Sequence, residues 1–325
     1  MNTLYFPPTP SDARAATAPL LRGHAFAATI GFFDGVHRGH RSVIEQLKQA
    51  ATGHGLQTMV VTFDRHPRQV IQSEWQPQLL TSLEEKARLL EETGIDVLVV
   101  LRFDRQMAAL SACAFMQQVL RDQLGVRLLL TGYDNRFGHN REEGFDDYRR
   151  YGREMGMEVV CGEPCGEGGL RFSSSLTRRL LSEGRVEEAA QCLGRPYSVT
   201  GRVVHGEQIG RTLGFPTANI VPADACRLVP ANGVYAVNAV LENDPVPHPA
   251  VMNIGLRPTF DGHQQTLEAH LLDYKDNLYG RQITVSFMAR LRPEQHFDSP
   301  QALASQMAID AQQARQILTL KPETL

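Results

Sequence analysis

Residues 25–40 read AFAATIGFFDGVHRGH, and this stretch decides how the first half of the chain folds. Ala25 to Ile30 is a short apolar run closed by a glycine, the pattern of a buried strand. Glycines at 31, 35 and 39 break the chain into a turn, and Ser42 to Ala50 follows with the spacing of an amphipathic helix. A strand, a glycine turn and a helix in succession make an anion site, because a helix N-terminus offers unpaired backbone amides and a partial positive charge. His37 and His40 stand three positions apart, so both imidazoles fall on one face of a helical turn and can reach the same phosphate.

The same alternation continues outward. Strands are expected at 25–31, 57–63 (QTMVVTF), 96–102 (DVLVVLR), 126–131 (VRLLLT) and 157–161, most of them followed by a helical stretch. The helix at 83–92 opens on a capping box, Ser82 with Glu85, and Leu83, Ala87 and Leu90 form its stripe. This rhythm predicts a parallel sheet wound with helices, with ligands at the carboxyl ends of its strands. After about residue 197 the rhythm becomes strands separated by Pro and Gly turns. In Gln282 to Leu291 the residues Ile283, Val285, Phe287, Ala289 and Leu291 face one way and Gln282, Thr284, Ser286, Met288 and Arg290 the other. With 233–241 and 266–272 this predicts a small closed antiparallel barrel. A last helix, capped near Ser299, carries Leu303, Met307, Ala311, Ala314 and Leu318 on one face. The boundary falls in or just after the helix Val186 to Leu193, giving domains 1–190 and 191–325.

Composition excludes several classes. The chain has 325 residues, 42% hydrophobic and 21% charged, enough for two cores. Its net charge of -3 argues against a bulk electrostatic nucleic-acid binder. The start, MNTLYFPPTP, has neither a basic segment nor an apolar core of a sorting signal, and no apolar run approaches the roughly 20 residues of a membrane span. A cytoplasmic protein is expected, working on small molecules with no nucleic-acid or membrane partner. Cys161 and Cys165 have no second close pair, and H-E-x-x-H is absent, so zinc is not indicated and the cysteines read as reduced. The oligomeric state is not legible.

A second signal lies at Arg171 to Arg179, RFSSSLTRR. Hydroxyls at Ser173, Ser174 and Ser175 enter a helix that carries Arg178. Serines at a helix start are commonly caps. Beside an H-x-G-H turn they also fit a second clamp on a triphosphate.

In content and order these motifs resemble the bifunctional prokaryotic riboflavin kinase/FAD synthetase family over nearly the whole chain. The resemblance implies a Rossmann-like nucleotidyltransferase domain followed by a riboflavin kinase barrel. Gly31, Phe33, Asp34, Gly35, His37, Gly39 and His40 match the first ATP motif, and Ser173 to Arg178 the serine-rich one, with Thr177 where Ile is usual. TFDRHP (62–67) and GYDNRFG (132–138) match two further motifs and imply an FMN side made by Asp64, His66, Pro67, Asp134, Arg136 and Phe137. Arg65 stands where Pro is usual and Asn135 where Phe is. In the second half, GEQIGRTLGFPTANI (206–220) matches an ATP and magnesium signature. It implies phosphate wrapping by Gly206, Gly210, Gly214 and Pro216 and a Mg²⁺ side made by Thr217 and Asn219. NIGLRPTF (253–260) implies flavin-side roles for Asn253 and Arg257. Glu268, in TLEAHLL, alternates against Leu267, Ala269 and Leu271 and so points away from the core; the resemblance makes it the kinase base.

The implied reactions are phosphorylation of riboflavin to FMN by ATP and adenylylation of FMN to FAD with release of pyrophosphate. The altered loop from Asn135 to Gly144 leaves a second reading open, a riboflavin kinase whose N-terminal domain is inactive or retargeted.

Overall fold

Every residue of VLVVL, Val97–Leu101, is buried, as a strand must be when helices cover both faces of its sheet. Alternate side chains enter opposite layers. Val97, Val99 and Leu101 join one core with Phe26, Met59 and Val61, and Leu98 and Val100 join another with Ile44, Val60 and Leu90. The computed structural model describes residues 1–6, 21, 23–72, 74–167, 170–206, 214–259 and 262–320. By packing, the chain divides into two units, Met1–Phe172 and Ser173–Leu325.

The first unit is a parallel sheet of six strands: β1 (Asn2–Phe6), β2 (Phe26–Ile30), β3 (Gln57–Phe63), β4 (Val97–Leu101), β5 (Val126–Thr131) and β6 (Glu158–Cys161). Their order is β1-β4-β3-β2-β5-β6. Helix α1 (Arg38–His54) follows β2. Helices α2 (Pro67–Ile71) and α3 (Leu83–Glu91) separate β3 from β4, and α4 (Arg105–Ala108) and α5 (Ala112–Ala114) precede β5, α5 running on into a π-helix at Phe115–Gln123. Helix α6 (Phe145–Met155) leads to β6, and a short hairpin, β7 (Gly166–Glu167) with β8 (Leu170–Arg171), ends the unit. From β2 the chain winds through β3 to β4, then returns to β5 on the other side of β2. The order therefore reverses between β2 and β5, the place where such sheets take ligands beyond their strand ends.

The capping box of α3 is formed: the Ser82 hydroxyl accepts from Glu85 N at 3.2 Å, and the Glu85 carboxylate accepts from Ser82 N at 3.1 Å. Two local expectations need correction. Helix α1 starts at Arg38 rather than Ser42, because His37 itself supplies the cap. The sequence reading also missed β1, which pairs in parallel with β4.

The second unit begins with a helical hairpin, α7 (Ser174–Ser182) and α8 (Val186–Leu193), packed on β9 and β14. Arg290 fastens it, donating to Glu183 O at 3.2 Å and to Asn232 O at 2.8 Å. The barrel is closed and antiparallel, built from β9 (Tyr197–Val204), β10 (Ala218–Pro222), β11 (Gly233–Leu241), β12 (Asp244–Thr259), β13 (Gly262–Leu271) and β14 (Gln282–Arg292). Ala250, Met252, Ile254, Leu267 and Ala269 are buried; alternation puts them inside. Helix α9 (Pro300–Leu320) covers part of the outer wall, where Ala311, Ala314 and Leu318 meet Ala236, Leu272, Met288 and Ala289. The simple alternation expected along β14 breaks here: register shifts against β11 leave Phe287, Met288 and Ala289 buried in succession. A β-bulge turns extra side chains toward the helix at that point. Among the described residues no helix is long and apolar enough to cross a membrane.

Candidate active sites

The end of β2 runs into a turn of unusual backbone. Phe33 and Val36 hold positive φ, 52° and 39°, and both are buried. For a β-branched residue this is a strained conformation that persists only where its surroundings impose it. Asp34 does the imposing. Only 3% exposed, its carboxylate accepts from Leu80 N at 3.0 Å and from Thr81 N at 3.0 Å, and the Thr81 hydroxyl takes Gly35 N at 3.1 Å. Asp34 thus serves as the anchor of the turn, its oxygens turned toward the chain.

The turn delivers two imidazoles in contact. His37 caps α1: its Nδ1 accepts from His40 N at 3.2 Å, which leaves the ring proton on Nε2. The rings of His37 and His40 stack with centroids 3.6 Å apart, and Phe33 meets His40 edge-on at 5.0 Å. No acidic residue occupies the first turn of α1, so its amides keep their attraction for an anion. Gly39 is demanded by space, since a Cβ there would lie 2.7 Å from Phe172 O and 3.0 Å from His37 Nδ1. Gly31 similarly faces the Phe33 ring, 3.1 Å from where a Cβ would stand.

The other expected motifs of this unit gather at the same sheet edge. Asn135, after β5, donates to Ile30 O across the strand-order reversal. Phe137 stacks on Tyr148 at 4.2 Å, and the Tyr148 hydroxyl holds Phe137 N at 3.0 Å. Asp134 is exposed, and the Arg136 carbonyl takes the Arg141 guanidinium at 3.0 Å. After β3, Asp64 accepts from Phe103 N at 2.9 Å. His66 caps α2 ahead of Pro67 and stands between two aromatic rings, Phe32 at 4.8 Å and Trp75 at 4.7 Å.

In the second unit, Ser173 caps α7, its hydroxyl accepting from Leu176 N at 3.1 Å. Ser174 and Arg178 are half-buried and Ser175 is exposed. Thr177 is fully buried beside Cys192, 3.1 Å from its sulfur, and donates to Ser173 O at 3.0 Å. That pairing satisfies the buried hydroxyl.

On the outer wall of the barrel the register aligns Asn219 with Glu268, and Glu268 with Asn253, across β10, β13 and β12. Leu267 and Ala269 are buried while Glu268 and His270 lie on the opposite, half-exposed face, as alternation requires. Glu268 and Asn253 line a cleft of about 240 Å³ with Phe215, Thr217, Val251 and His270. Leu303, Met307 and Asp310 of α9 close its far side. His270 Nδ1 stands 2.8 Å from Pro216 O, tying the segment before β10 to β13. At the cleft edge Arg292 and Asp310 form a two-point ion pair, 3.1 and 2.9 Å, with Asp310 only 2% exposed and Gln306 adding a bond at 2.9 Å. Gly206 packs directly on the Asn219 amide, so a Cβ there would displace that side chain. Gly214 has φ 83°. Gly210 and the side chain of Arg257 lie outside the described residues. A hydroxyl at Thr217 and an amide oxygen at Asn219 are hard donors of the kind Mg²⁺ takes, few in number because phosphate supplies the rest; the donor set fits the ion.

Sequence reasoning missed two features of these sites. Lys86 is buried at the strand ends, and its signal was a lysine inside the apolar stripe of α3, three residues after Leu83 and four before Leu90. The Arg292–Asp310 pair joins residues with nothing in their local pattern to connect them.

A parallel sheet with a glycine turn and stacked histidines at its reversal point defines a nucleotide-binding α/β unit, and the FAD synthetase family model matches residues 22–176. The riboflavin kinase family model matches residues 193–318. A bifunctional riboflavin kinase/FMN adenylyltransferase of Escherichia coli K12 is 43% identical over 90% of this chain and 92% of its own. The protein of that description from Pseudomonas fluorescens is 39% identical over 89% and 91%. A solved Streptococcus pneumoniae structure, described as a macrolide-efflux protein, superposes with a TM-score of 0.84 at 28% identity, covering 97% of this chain and 99% of that one. The chain belongs to the bifunctional riboflavin kinase/FMN adenylyltransferase family.

Proposed function

We infer that this chain phosphorylates riboflavin to FMN and adenylylates FMN to FAD, using ATP in both steps. One observation carries the reading: the FAD synthetase and riboflavin kinase family models match successive stretches of one chain, residues 22–176 and 193–318. We assign the adenylyltransferase to residues 1–190 and the kinase to 191–325, although α7 and α8 pack with the barrel.

In the barrel, the cleft between Phe215, Val251, Leu303 and Met307 offers apolar walls to a flat ring system, with Glu268 and Asn253 at its polar side. Glu268 accepts the proton of the ribityl primary hydroxyl as that oxygen attacks the γ-phosphorus, and ADP leaves. Such transfers depend more on positioning and charge neutralisation than on a strong base. Thr217 and Asn219 would hold Mg²⁺, which supplies positive charge to the phosphates, and Gly206, Gly210, Gly214 and Pro216 are assigned to the ATP side with them.

In the first unit, an FMN phosphate oxygen attacks the α-phosphorus of ATP and pyrophosphate leaves. The His37 and His40 rings and the α1 amides neutralise the charge that develops, with no covalent intermediate. Asp64, His66, Pro67, Asp134, Arg136 and Phe137 are assigned to the FMN side, and Arg257 to the flavin of the kinase. Five free cysteines and the ATP requirement suit a reducing cytoplasm. The test is a time course of purified protein with riboflavin, ATP and Mg²⁺, resolved by chromatography. FMN that rises first and FAD that follows support the reading; a halt at FMN removes the adenylyltransferase half.

A further inference from the structure

The nucleotide end of the parallel sheet holds a buried cation that the mechanism above does not use. Lys86, on α3, is only 3% exposed. Its Nζ donates to Phe32 O at 3.1 Å and to Phe63 O at 3.1 Å, and lies 4.3 Å from the centroid of the Phe32 ring. Phe32 belongs to the histidine turn after β2, and Phe63 is the last residue of β3, where the next loop leaves the sheet. One ammonium therefore grips both loops. The charged groups that face it are Asp34 and Asp64, the first buried in the histidine turn and the second at the head of the neighbouring loop. His66 reaches the same cluster through its edge contact with Phe32 at 4.8 Å.

A buried ammonium is costly unless it is paired and hydrogen-bonded, and an apolar residue of similar length would suit a helix stripe as well. What the lysine adds is order in a strained segment. Positive φ at Phe33 and Val36 requires surroundings that allow no alternative. Asp34 anchors that turn, and a carboxylate so deeply buried needs a counter-charge. We propose that Lys86 is a positioning residue for adenylyl transfer, gripping the Phe32 and Phe63 carbonyls and balancing Asp34 so that His37 and His40 meet the phosphates in one fixed geometry. The proposal rests on the adenylyltransferase reading of the first unit.

Burial, the largest influence, lowers the Lys86 pKa to about 8 against the opposing pull of Asp34 and Asp64. The counter-charge therefore disappears within an accessible pH range, and positioning becomes measurable without unfolding.

The experiment follows FAD formation from FMN and ATP by the full chain across pH, for wild type, Lys86→Met and His40→Ala, with riboflavin phosphorylation followed in parallel. The wild-type rate is expected to fall above pH 8. Lys86→Met is expected to lower kcat by roughly 10- to 100-fold, leave the KM for ATP little changed, lose the alkaline limb, and keep the kinase rate. If the wild-type chain forms no FAD from FMN and ATP, the adenylyltransferase reading fails; if His40→Ala retains full FAD formation, the histidine turn leaves the mechanism and the Lys86 proposal falls with it. If His40→Ala is silent while Lys86→Met keeps wild-type kcat and pH profile, the Lys86 proposal alone fails. Trp75, the single tryptophan, lies 4.7 Å from His66 and reports the fold of this unit. A Lys86→Met chain with the emission of urea-unfolded protein would assign Lys86 to stability only and overturn the proposal.

Discussion

Glu268 on β13 stands directly opposite Asn253 on β12, in the row that Asn219 completes on β10. Both Glu268 and Asn253 line the cleft beneath α9. A carboxylate placed between two amides by strand register cannot be moved without moving the barrel. Replacing Glu268 by Ala should therefore cost chemistry rather than folding. FMN formation should fall by about 100-fold or more, while FAD formation from supplied FMN stays near wild type. Equal loss of both activities would refute separate sites.

The stacked pair at the start of α1 gives the converse expectation. His40→Ala removes one of two imidazoles that neutralise developing charge, an effect of about 100-fold in comparable sites. FAD production should stop and FMN should accumulate in a riboflavin assay. Undiminished FAD output would remove the turn from the mechanism.

Gly39 offers a test that changes no functional group. A Cβ there would lie 2.7 Å from the backbone oxygen of Phe172, and a backbone atom cannot give way as a side-chain tip can. Gly39→Ala should thus shift the histidine turn and reduce FAD formation while FMN formation persists, as separate assays of the two steps would show.

Arg292 and Asp310 tie β14 to α9 where the helix closes the cleft. Breaking a buried pair leaves one charge uncompensated, at a cost of about 3–5 kcal/mol. Asp310→Ala should lower the denaturation midpoint of the barrel by a corresponding amount and raise the KM for riboflavin. A variant with wild-type stability and KM would show that the pair does not hold the helix.

Lys86 carries a pH signature in stability as well as in rate. Its folded pKa is depressed to about 8 from an ordinary value of 10.5. Between those values the unfolded chain binds the proton more readily, so stability rises with pH across the window, by on the order of 3 kcal/mol if fully expressed. Below it the lysine is charged in both states and the burial cost is felt in full. Denaturant titrations should show this rise in wild type beyond that in Lys86→Met; parallel slopes would contradict it.

Much of the fold was legible because its apolar periods are local. Gln57–Phe63, Val126–Thr131, Val186–Leu193 and Gly233–Leu241 end where their sequence patterns end. β1 was missed because its partner, β4, lies far along the chain, and a short edge strand has little pattern of its own. Helix α1 begins earlier than its apolar spacing suggested, since a histidine rather than a serine or aspartate provides the cap. The succession of Phe287, Met288 and Ala289 depends on a bulge and a covering helix, both set by tertiary packing. The polar row of Asn219, Glu268 and Asn253 came from three separate motifs. Alternation gave the direction of Glu268, but only register could bring the three together.

The central claim is that one chain holds two separate reaction centres, one at Glu268 and one at His40. The direct measurement is FAD formation from riboflavin and ATP by Glu268→Ala alone, by His40→Ala alone, and by an equimolar mixture of the two. Each variant alone should make no FAD, and the mixture should make it, because FMN formed by the His40→Ala chain can be adenylylated by the Glu268→Ala chain. FAD from either variant alone at close to the wild-type rate, or no gain in the mixture over the single variants, would contradict the account.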